Sequence, residues 1–209
     1  MGAPKVFGIG FQKTGTSSLD AAFRILGYRT DKGVFLNTRG KKSSVLIAPP
    51  LTNAKVLERV LPIARKKEAF SDNPWPLLYR EVDSLFADSK FVLTVREPQR
   101  WLESLARHFG SEESDTLEWI YGVRSVRGNE ARCLEVYEAH NRAVREHFAS
   151  RPTALLELDI EQHPNWDALC MFLDKPLPKQ PFPRANTAAD RERKRAGVWR
   201  MLKTAVRGT

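Results

Sequence analysis

The feature that most constrains this chain is a glycine-bounded segment rich in hydroxyl groups near its N-terminus, Gly10–Ser17. A short apolar run, Lys5–Gly10, leads into it, and Thr16–Leu26, which has apolar residues at helical spacing, follows it. Glycines let a backbone curl so that successive N–H groups point at one anion, and a following helix adds the positive end of its dipole. This strand–loop–helix order therefore predicts an anion-binding loop on an α/β sheet.

The loop offers several groups that suit a phosphate or a similar anion. Lys13 carries a full positive charge, and the threonine and serine side chains add hydroxyl donors. The alternative is a tight turn that only packs the strand against the helix. The candidate ligand-binding residues of the loop are Gly10, Gln12, Lys13, Thr14, Gly15, Thr16 and Ser17.

The position of the lysine separates this loop from the one that nucleotide triphosphatases use. In their pattern, G-x-x-x-x-G-K-[ST], the lysine directly follows the second glycine. Here Thr16 occupies that place, and Lys13 lies two residues before Gly15. The spacing therefore argues against a standard triphosphatase loop.

Magnesium-dependent phosphoryl transfer also needs an acidic residue at the end of a neighbouring strand. The clearest strand in the sequence, Lys90–Val95, ends instead at a cation, Arg96. Asp159, after a predicted strand at Thr153–Leu158, is a possible substitute. A kinase or nucleotide hydrolase that uses ATP and magnesium therefore stays open as an alternative.

Strands and helices alternate along the chain, which is typical of a parallel sheet with helices on both faces. We therefore predict an α/β fold of three layers, a central parallel β-sheet flanked by helices, as one domain over residues 1–209. Tyr28–Pro50 is predicted to be a loop, with a possible strand at Val45–Ala48. The remaining predicted elements are a strand at Ala69–Ser71 and helices at Asn53–Lys67, Pro98–Phe109, Ser114–Tyr121, Glu130–Ala149 and Trp166–Leu173.

A further helix is predicted after Asp72-Asn73-Pro74, because a capping Asp or Asn followed by proline is typical of a helix start. This helix should bury one apolar face. The residues on that face are Trp75, Leu78, Val82, Leu85 and Phe86.

The net charge of +9 is concentrated at the C-terminal end. Residues 184–209 hold eight Lys or Arg and two acids, so this basic tail, predicted to be helical, carries +6 of the total. Such a tail leaves a nucleic-acid-binding module open as a non-enzymatic alternative. No apolar run approaches the roughly 20 residues of a membrane span, and two cysteines far apart in sequence suit a reduced, cytoplasmic protein.

Two motifs together resemble those of a known enzyme family. The string Gly-x-x-Lys-Thr-Gly-Thr-Ser-Ser-Leu from Gly10 is similar to the phosphosulfate loop of the sulfotransferases. The segment Arg96–Ser104 is similar to the family's 3′-phosphate motif, with an arginine at a strand end and a serine in the next helix. The resemblance spans most of the chain, is strongest over residues 5–27 and 70–109, and implies a compact, bacterial-type, P-loop-like domain.

This resemblance implies 3′-phosphoadenosine 5′-phosphosulfate as the sulfuryl donor and no metal. The loop amides, with the hydroxyls of Thr16 and Ser17, would hold the 5′-phosphate. Lys13 would neutralise the charge that grows on the bridging oxygen. Arg96 and Ser104 would clamp the 3′-phosphate, unless Arg96 only pairs with Glu97 or another surface acid.

Sulfuryl transfer to a hydroxyl or amine also needs a general base. Asp72, at the end of a predicted strand, is the first candidate, although it could equally be only a helix cap. His140 is the second candidate, but its apolar neighbours favour a packed core histidine. The acceptor stays unidentified; we expect a small molecule and no nucleic-acid partner.

Overall fold

A five-stranded parallel sheet forms the centre of the protein, as seen in a computed structural model that describes residues 4–32 and 47–185. The strand order is β2-β3-β1-β4-β5, and every neighbouring pair is parallel. The strands are β1 (Val6–Gly8), β2 (Thr30–Lys32), β3 (Ala69–Ser71), β4 (Lys90–Thr94) and β5 (Leu155–Leu158).

Helices cover both faces of this sheet. The helices of the described residues are α1 (Thr16–Ile25), α2 (Asn53–Lys66), α3 (Tyr79–Leu85), α4 (Pro98–Phe109), α5 (Asp115–Tyr121), α6 (Glu130–Phe148) and α7 (Trp166–Leu173). α1 and α7 pack on one face, α2, α3 and α6 on the other, and α4 and α5 join α6 in a further apolar cluster. The prediction of a three-layer α/β fold is thereby confirmed.

The apolar character of the strands follows from burial on both faces. Successive side chains of a strand point to opposite faces, so a covered sheet needs apolar residues at consecutive positions. In β1, Val6 packs with the cluster around α1 and α7, whereas Phe7 packs with the cluster around α2, α3 and α6. Phe7 stacks on Phe70 of β3 and on Phe91 of β4, with ring centroids 4.7 Å and 5.7 Å apart. This aromatic row fixes the register of the three central strands.

The strand order decides where a ligand can bind. β1 lies between β3 and β4, and the helices that follow β1 and β4 lie on opposite faces of the sheet. Chain connections that diverge in this way leave a crevice at the carboxyl ends of the strands, which is the usual ligand site of open α/β sheets. The loops after β1, β3 and β4 all meet at this edge.

Two predictions about the strands were wrong: one strand was missed, and another begins later than predicted. Thr30–Lys32 forms the edge strand β2 inside the predicted loop; its polar sequence, paired on one side with β3, gives no apolar pattern to recognise. Pro152–Ala154 forms a 3₁₀ turn, so β5 begins at Leu155 and not at Thr153. Ile47 and Ala48 are not in a strand, and residues 45–46 lie outside the described residues.

The helix predicted directly after Asp72-Asn73-Pro74 is also different. A 3₁₀ helix, Trp75–Leu77, comes first, and α3 then begins at Tyr79. Trp75, Leu78 and Val82 are fully buried as predicted, but Leu85 is 51% exposed. The segment is therefore not one continuous α-helix with one apolar face, and Leu85 does not share the buried face.

Two sequence-based expectations concern parts of the chain that the fold does not test. The basic tail of residues 184–209, predicted to be helical, lies outside the described ranges from residue 186 onward, and the assignment of 1–209 to one domain remains a prediction. In residues 4–32 and 47–185, no helix is both long and apolar enough to span a membrane.

Candidate active site

Three predicted site segments lie together at the carboxyl edge of the sheet. The loop Gly10–Ser17 follows β1, Asp72 follows β3, and Arg96 comes two residues after β4. The Thr16 hydroxyl donates a hydrogen bond to Asp72 Oδ2 at 3.2 Å, and Arg96 Nη1 donates to the carbonyl of Lys13 at 3.3 Å. The sequence motifs therefore form one continuous site.

A close approach between two backbones requires the first glycine of the loop. A Cβ on Gly10 would lie 2.1 Å from Thr94 Oγ1 and 2.2 Å from the carbonyl oxygen of Thr94. The second glycine, Gly15, has φ of +101°, a left-handed conformation that glycine adopts without strain. The glycines therefore shape the loop.

We predict that Gly10→Ala destabilises the protein by about 3 kcal/mol, because the carbonyl oxygen of Thr94, at the end of β4, cannot move aside freely. Urea unfolding would measure this loss. Gly27→Ala is the matched control: φ there is +86°, but the new Cβ would meet no atom of the described residues within 4 Å, so only about 1 kcal/mol of strain is expected. Equal losses in the two variants would contradict the close-approach explanation.

Thr14 fastens the loop to the end of β4. Its hydroxyl donates to the carbonyl of Phe11 at 2.6 Å and accepts from the Thr94 hydroxyl, also at 2.6 Å. This direction of donation follows because each hydroxyl has one proton. The Thr14 side chain is buried, so its described contacts hold the shape of the loop. Its role as a ligand-binding residue remains a prediction.

Gln12 connects the loop to three other segments. Its Nε2 donates to the Tyr121 hydroxyl at 2.7 Å, and its Oε1 accepts from Asn73 Nδ2 at 3.1 Å. The Gln12 carbonyl accepts from the Trp101 indole N–H at 3.0 Å. Both ends of the side-chain amide therefore serve internal contacts, and a direct contact with a donor molecule remains a prediction.

The N-terminus of α1 opens onto the loop. Gly15 is its N-cap residue, and no side chain caps the helix there. The first turn contains no acidic residue, so no carboxylate within that turn offsets the positive end of the helix dipole. Because the first N–H groups of a helix have no partner inside it, Thr16 and Ser17 stand where an anion is favoured.

Asp72 lies beside this helix end in an unusual backbone conformation. Its φ is +68°, in the left-handed region that Asp and Asn tolerate better than most residues. Its carboxylate accepts from the Asn73 N–H at 2.9 Å and from Thr16 at 3.2 Å. The 3₁₀ helix that follows has Pro74 at its cap position without a side-chain cap bond. Asp72 is therefore not a side-chain cap of that helix, and its role as a base stays open.

His140 lies beneath the loop in the core. Its Nε2 donates to the carbonyl of Ile9 at 2.8 Å, and its ring stacks on Phe11 with centroids 4.2 Å apart. Burial lowers the pKa of His140 from the ordinary 6.5 to about 4, although the bond to Ile9 opposes the shift. The histidine is therefore neutral at physiological pH and supports the loop from below.

This lowered pKa predicts a pH-dependent stability. Between pH 6.5 and about 4, His140 is protonated in the unfolded chain but stays neutral in the folded protein. The free energy of unfolding is therefore highest above pH 6.5 and decreases as the pH falls. The effect of this one group is on the order of 3 kcal/mol. In urea unfolding from pH 7 to pH 4, His140→Gln should flatten this decrease, whereas His163→Gln, at an exposed position, should not. Parallel pH profiles of the wild type and His140→Gln would contradict the shift.

Arg96 has a fixed backbone and a paired side chain. Tyr137 accepts from the Arg96 N–H at 2.9 Å and donates to the Arg96 carbonyl at 2.8 Å. Nη2 of the guanidinium donates a hydrogen bond to Oε1 of Glu161 at 2.7 Å, and Nε lies 2.7 Å from Oε2, an ion-pair contact without hydrogen-bond geometry. The surface acid that pairs with Arg96 is therefore Glu161.

Glu97, which the sequence suggested as an alternative partner for Arg96, caps a helix instead. It is the N-cap residue of α4, and its carboxylate accepts from the N–H groups of Gln99 and Arg100 at 2.9 and 2.8 Å. These bonds lower the pKa of Glu97. Ser104 lies half-buried in the second turn of α4, and its predicted contact with a 3′-phosphate remains a prediction.

Sequence reasoning missed several residues that shape this site. Thr94 and Asn73 were missed although each lies within two residues of a predicted site segment, which is a usable signal. Tyr121 and Glu161 come from distant elements, and no local pattern marks them. Tyr121 is fully buried, and burial raises the pKa of its hydroxyl well above the usual range.

The comparisons with known proteins agree with this geometry. A family model described as a sulfotransferase domain matches residues 5–127 and 114–191. The chain therefore belongs to the sulfotransferase family, as its two motifs predicted. A curated relative, "Ava biosynthesis cluster protein M" of Aspergillus versicolor, is 24% identical over 235 residues, covering 97% of this chain and 88% of the relative.

Proposed function

We propose that this sulfotransferase takes its sulfuryl group from 3′-phosphoadenosine 5′-phosphosulfate and passes it to a hydroxyl or amine of a small molecule. The observation that carries the proposal is the contact between Arg96 Nη1 and the Lys13 carbonyl. It joins two cationic segments, one at the N-terminus of α1 and one at the end of β4, at one edge of the sheet. A donor with phosphates at both ends of its ribose suits such a pair.

The 5′-phosphosulfate would lie against the first turn of α1. There the N–H groups and hydroxyls of Thr16 and Ser17 would bind its oxygens. The ammonium group of Lys13 would neutralise the charge that grows on the bridging oxygen as the sulfur–oxygen bond breaks. This interaction strengthens in the transition state, so it would raise the rate and not only the affinity.

Asp72 is the base that the contacts favour. Its carboxylate lies at the mouth of the site and touches Thr16 of the same helix end, so it could take the proton of an attacking hydroxyl or amine. His140 is the weaker candidate, because it is buried and its Nε2 donates to a backbone carbonyl. These contacts favour a structural role for His140, which packs beneath the loop Gly10–Ser17.

We also propose that the acceptor is a small molecule and that the protein is cytoplasmic. The name of the curated relative refers to a biosynthesis cluster, and this favours a small-molecule acceptor over a nucleic acid. Both cysteines, Cys133 and Cys170, are free and buried, which suits the cytoplasm.

Thermal unfolding with three ligands tests the choice of donor. We expect adenosine 3′,5′-bisphosphate, the desulfo product, to raise Tm in the presence of EDTA, because a ligand that binds only the folded state stabilises it. AMP should raise Tm less, since it lacks the 3′-phosphate. A shift with ATP and magnesium, without one for the bisphosphate, would instead support a kinase or nucleotide hydrolase.

We predict that Arg96→Ala weakens binding of the bisphosphate about 10- to 100-fold, because it removes charge-assisted hydrogen bonds to the 3′-phosphate. The maximal rate should fall much less. Titration calorimetry would measure the affinity, and Arg145→Ala, which breaks a similar exposed pair with Glu157, is the control. Unchanged affinity in Arg96→Ala would remove Arg96 from the donor site.

A further inference from the structure

A carboxylate occupies the edge of Arg96 that oxyanions prefer. Oε1 and Oε2 of Glu161 lie 2.7 Å from Nη2 and Nε of Arg96, and Oε1 also lies 3.3 Å from Nη2 of Arg100. The side chains of Arg96 and Glu161 are 20% and 36% exposed, so the pair is open to solvent on one side. One acid therefore binds both arginines at the start of the 3′-phosphate motif.

The loop between β5 and α7 holds Glu161 in this place. Asp159 Oδ1 accepts from the N–H groups of Glu161 and Gln162, each at 3.0 Å, and these bonds fix the turn. The neighbouring Ile160 is buried against the loop Gly10–Ser17, so closely that a Cβ on Gly15 would lie 3.1 Å from the Cβ of Ile160. The turn that carries Glu161 is thus packed against the candidate anion site.

A phosphate and a carboxylate bind a guanidinium in the same way. Each accepts two parallel hydrogen bonds from one edge of the planar group, and the edge formed by Nε and Nη2 can serve only one of them fully. Even a phosphate bound at another edge of Arg96 would lie close enough to Glu161 for like charges to repel.

We propose that Glu161 competes with the 3′-phosphate of the donor for Arg96 and so sets the affinity for donor and desulfo product alike. This inference rests on the proposed function, because it takes Arg96 as the 3′-phosphate site. Both nucleotides carry the same 3′-phosphate, so a competing carboxylate weakens their binding together. Such a residue acts through Arg96 and limits how firmly the product is retained.

The test is Glu161→Gln, which keeps the size of the side chain and removes its charge. The matched control is Glu157→Gln, because Glu157 forms an exposed ion pair with Nε and Nη2 of Arg145, at 2.8 and 2.9 Å, outside the site. Titration calorimetry of the full chain would use adenosine 3′,5′-bisphosphate and, in parallel, AMP. The unliganded Tm of each variant gives the cost in stability.

In Glu161→Gln, we expect the Kd for the bisphosphate to fall about two- to fivefold, since exposed ion pairs contribute up to about a factor of five. The Kd for AMP should stay the same. The salt dependence of bisphosphate binding should become steeper, because one more arginine charge is free to meet the ligand. A purely structural role of Glu161 would produce neither change.

Three results would overturn the inference. Weaker bisphosphate binding in Glu161→Gln would show that Glu161 orients Arg96, and unchanged binding would show that it does not compete for Arg96; the proposed function would stand in both cases. An equal gain in affinity for AMP in Glu161→Gln would show a general effect of the changed net charge. So would an equal gain in affinity for the bisphosphate in Glu157→Gln. If the wild type does not prefer the bisphosphate over AMP, the proposed donor falls and this inference falls with it.

Discussion

Lys13→Ala should lower the rate of sulfuryl transfer at least about a hundredfold, because it removes a charge that acts mainly in the transition state. Affinity for adenosine 3′,5′-bisphosphate should change only a few-fold, since the helix end and Arg96 remain. Formation of the bisphosphate from the donor, with a mixed panel of phenols, alcohols and amines as acceptors, measures the rate. Calorimetry measures the affinity.

The choice of alanine matters because Lys13 has a left-handed backbone, with φ of +74°. Alanine keeps a Cβ there, so the strain of the loop is preserved, whereas glycine would relax the loop and mix two effects. Lys5→Ala, at the opposite end of β1, controls for the loss of one positive charge. If Lys13→Ala loses affinity and Arg96→Ala loses rate, the roles assigned to the two residues must be exchanged.

The second large effect is expected for Asp72→Asn. Removing a general base lowers a maximal rate by about 10²- to 10⁴-fold, and asparagine cannot accept the proton from the attacking group. The fold should be preserved, because asparagine tolerates the φ of +68° and its oxygen can still accept from the Asn73 N–H. Transfer to the same acceptor panel and an unliganded Tm would be measured side by side.

His140→Gln is the comparison for this prediction. It should lose stability and keep a large part of its activity per folded molecule, because the ring only packs on Phe11 and bonds to Ile9. The reverse result, an active Asp72→Asn and an inactive but folded His140→Gln, would make His140 the base.

The sequence was sufficient for those parts of the fold that carry a local pattern. The apolar strands β1, β3 and β4 and the amphipathic helices other than α3 were predicted to within two residues, since burial on both faces demands apolar runs. β2 could not be recognised, because its three polar residues pair with one neighbour only. The 3₁₀ turn at Trp75 was missed because the signal of a helix start does not specify the type of helix.

For the site, the sequence indicated which loops meet but not how their side chains pair. The loop Gly10–Ser17, Asp72 and Arg96 were each predicted to follow a strand, and parallel strands present their carboxyl ends at one edge, where these segments meet. The alternative considered for Arg96 was a pair with Glu97 or another surface acid, and the acid that Arg96 meets is Glu161, 65 residues away in the chain. Gln12 was predicted to bind the donor, whereas its described bonds reach Tyr121 and Asn73. Contacts across such distances depend on packing, which no local pattern encodes.

The most direct test of the account is a turnover measurement on the wild-type chain with EDTA present. We predict that 3′-phosphoadenosine 5′-phosphosulfate is converted to adenosine 3′,5′-bisphosphate, with the sulfuryl group on a member of the acceptor panel, and that ATP with magnesium is left intact in a parallel reaction. Hydrolysis or transfer from ATP and magnesium, with the phosphosulfate untouched, would contradict the assignment of the donor and of the roles of Lys13 and Arg96.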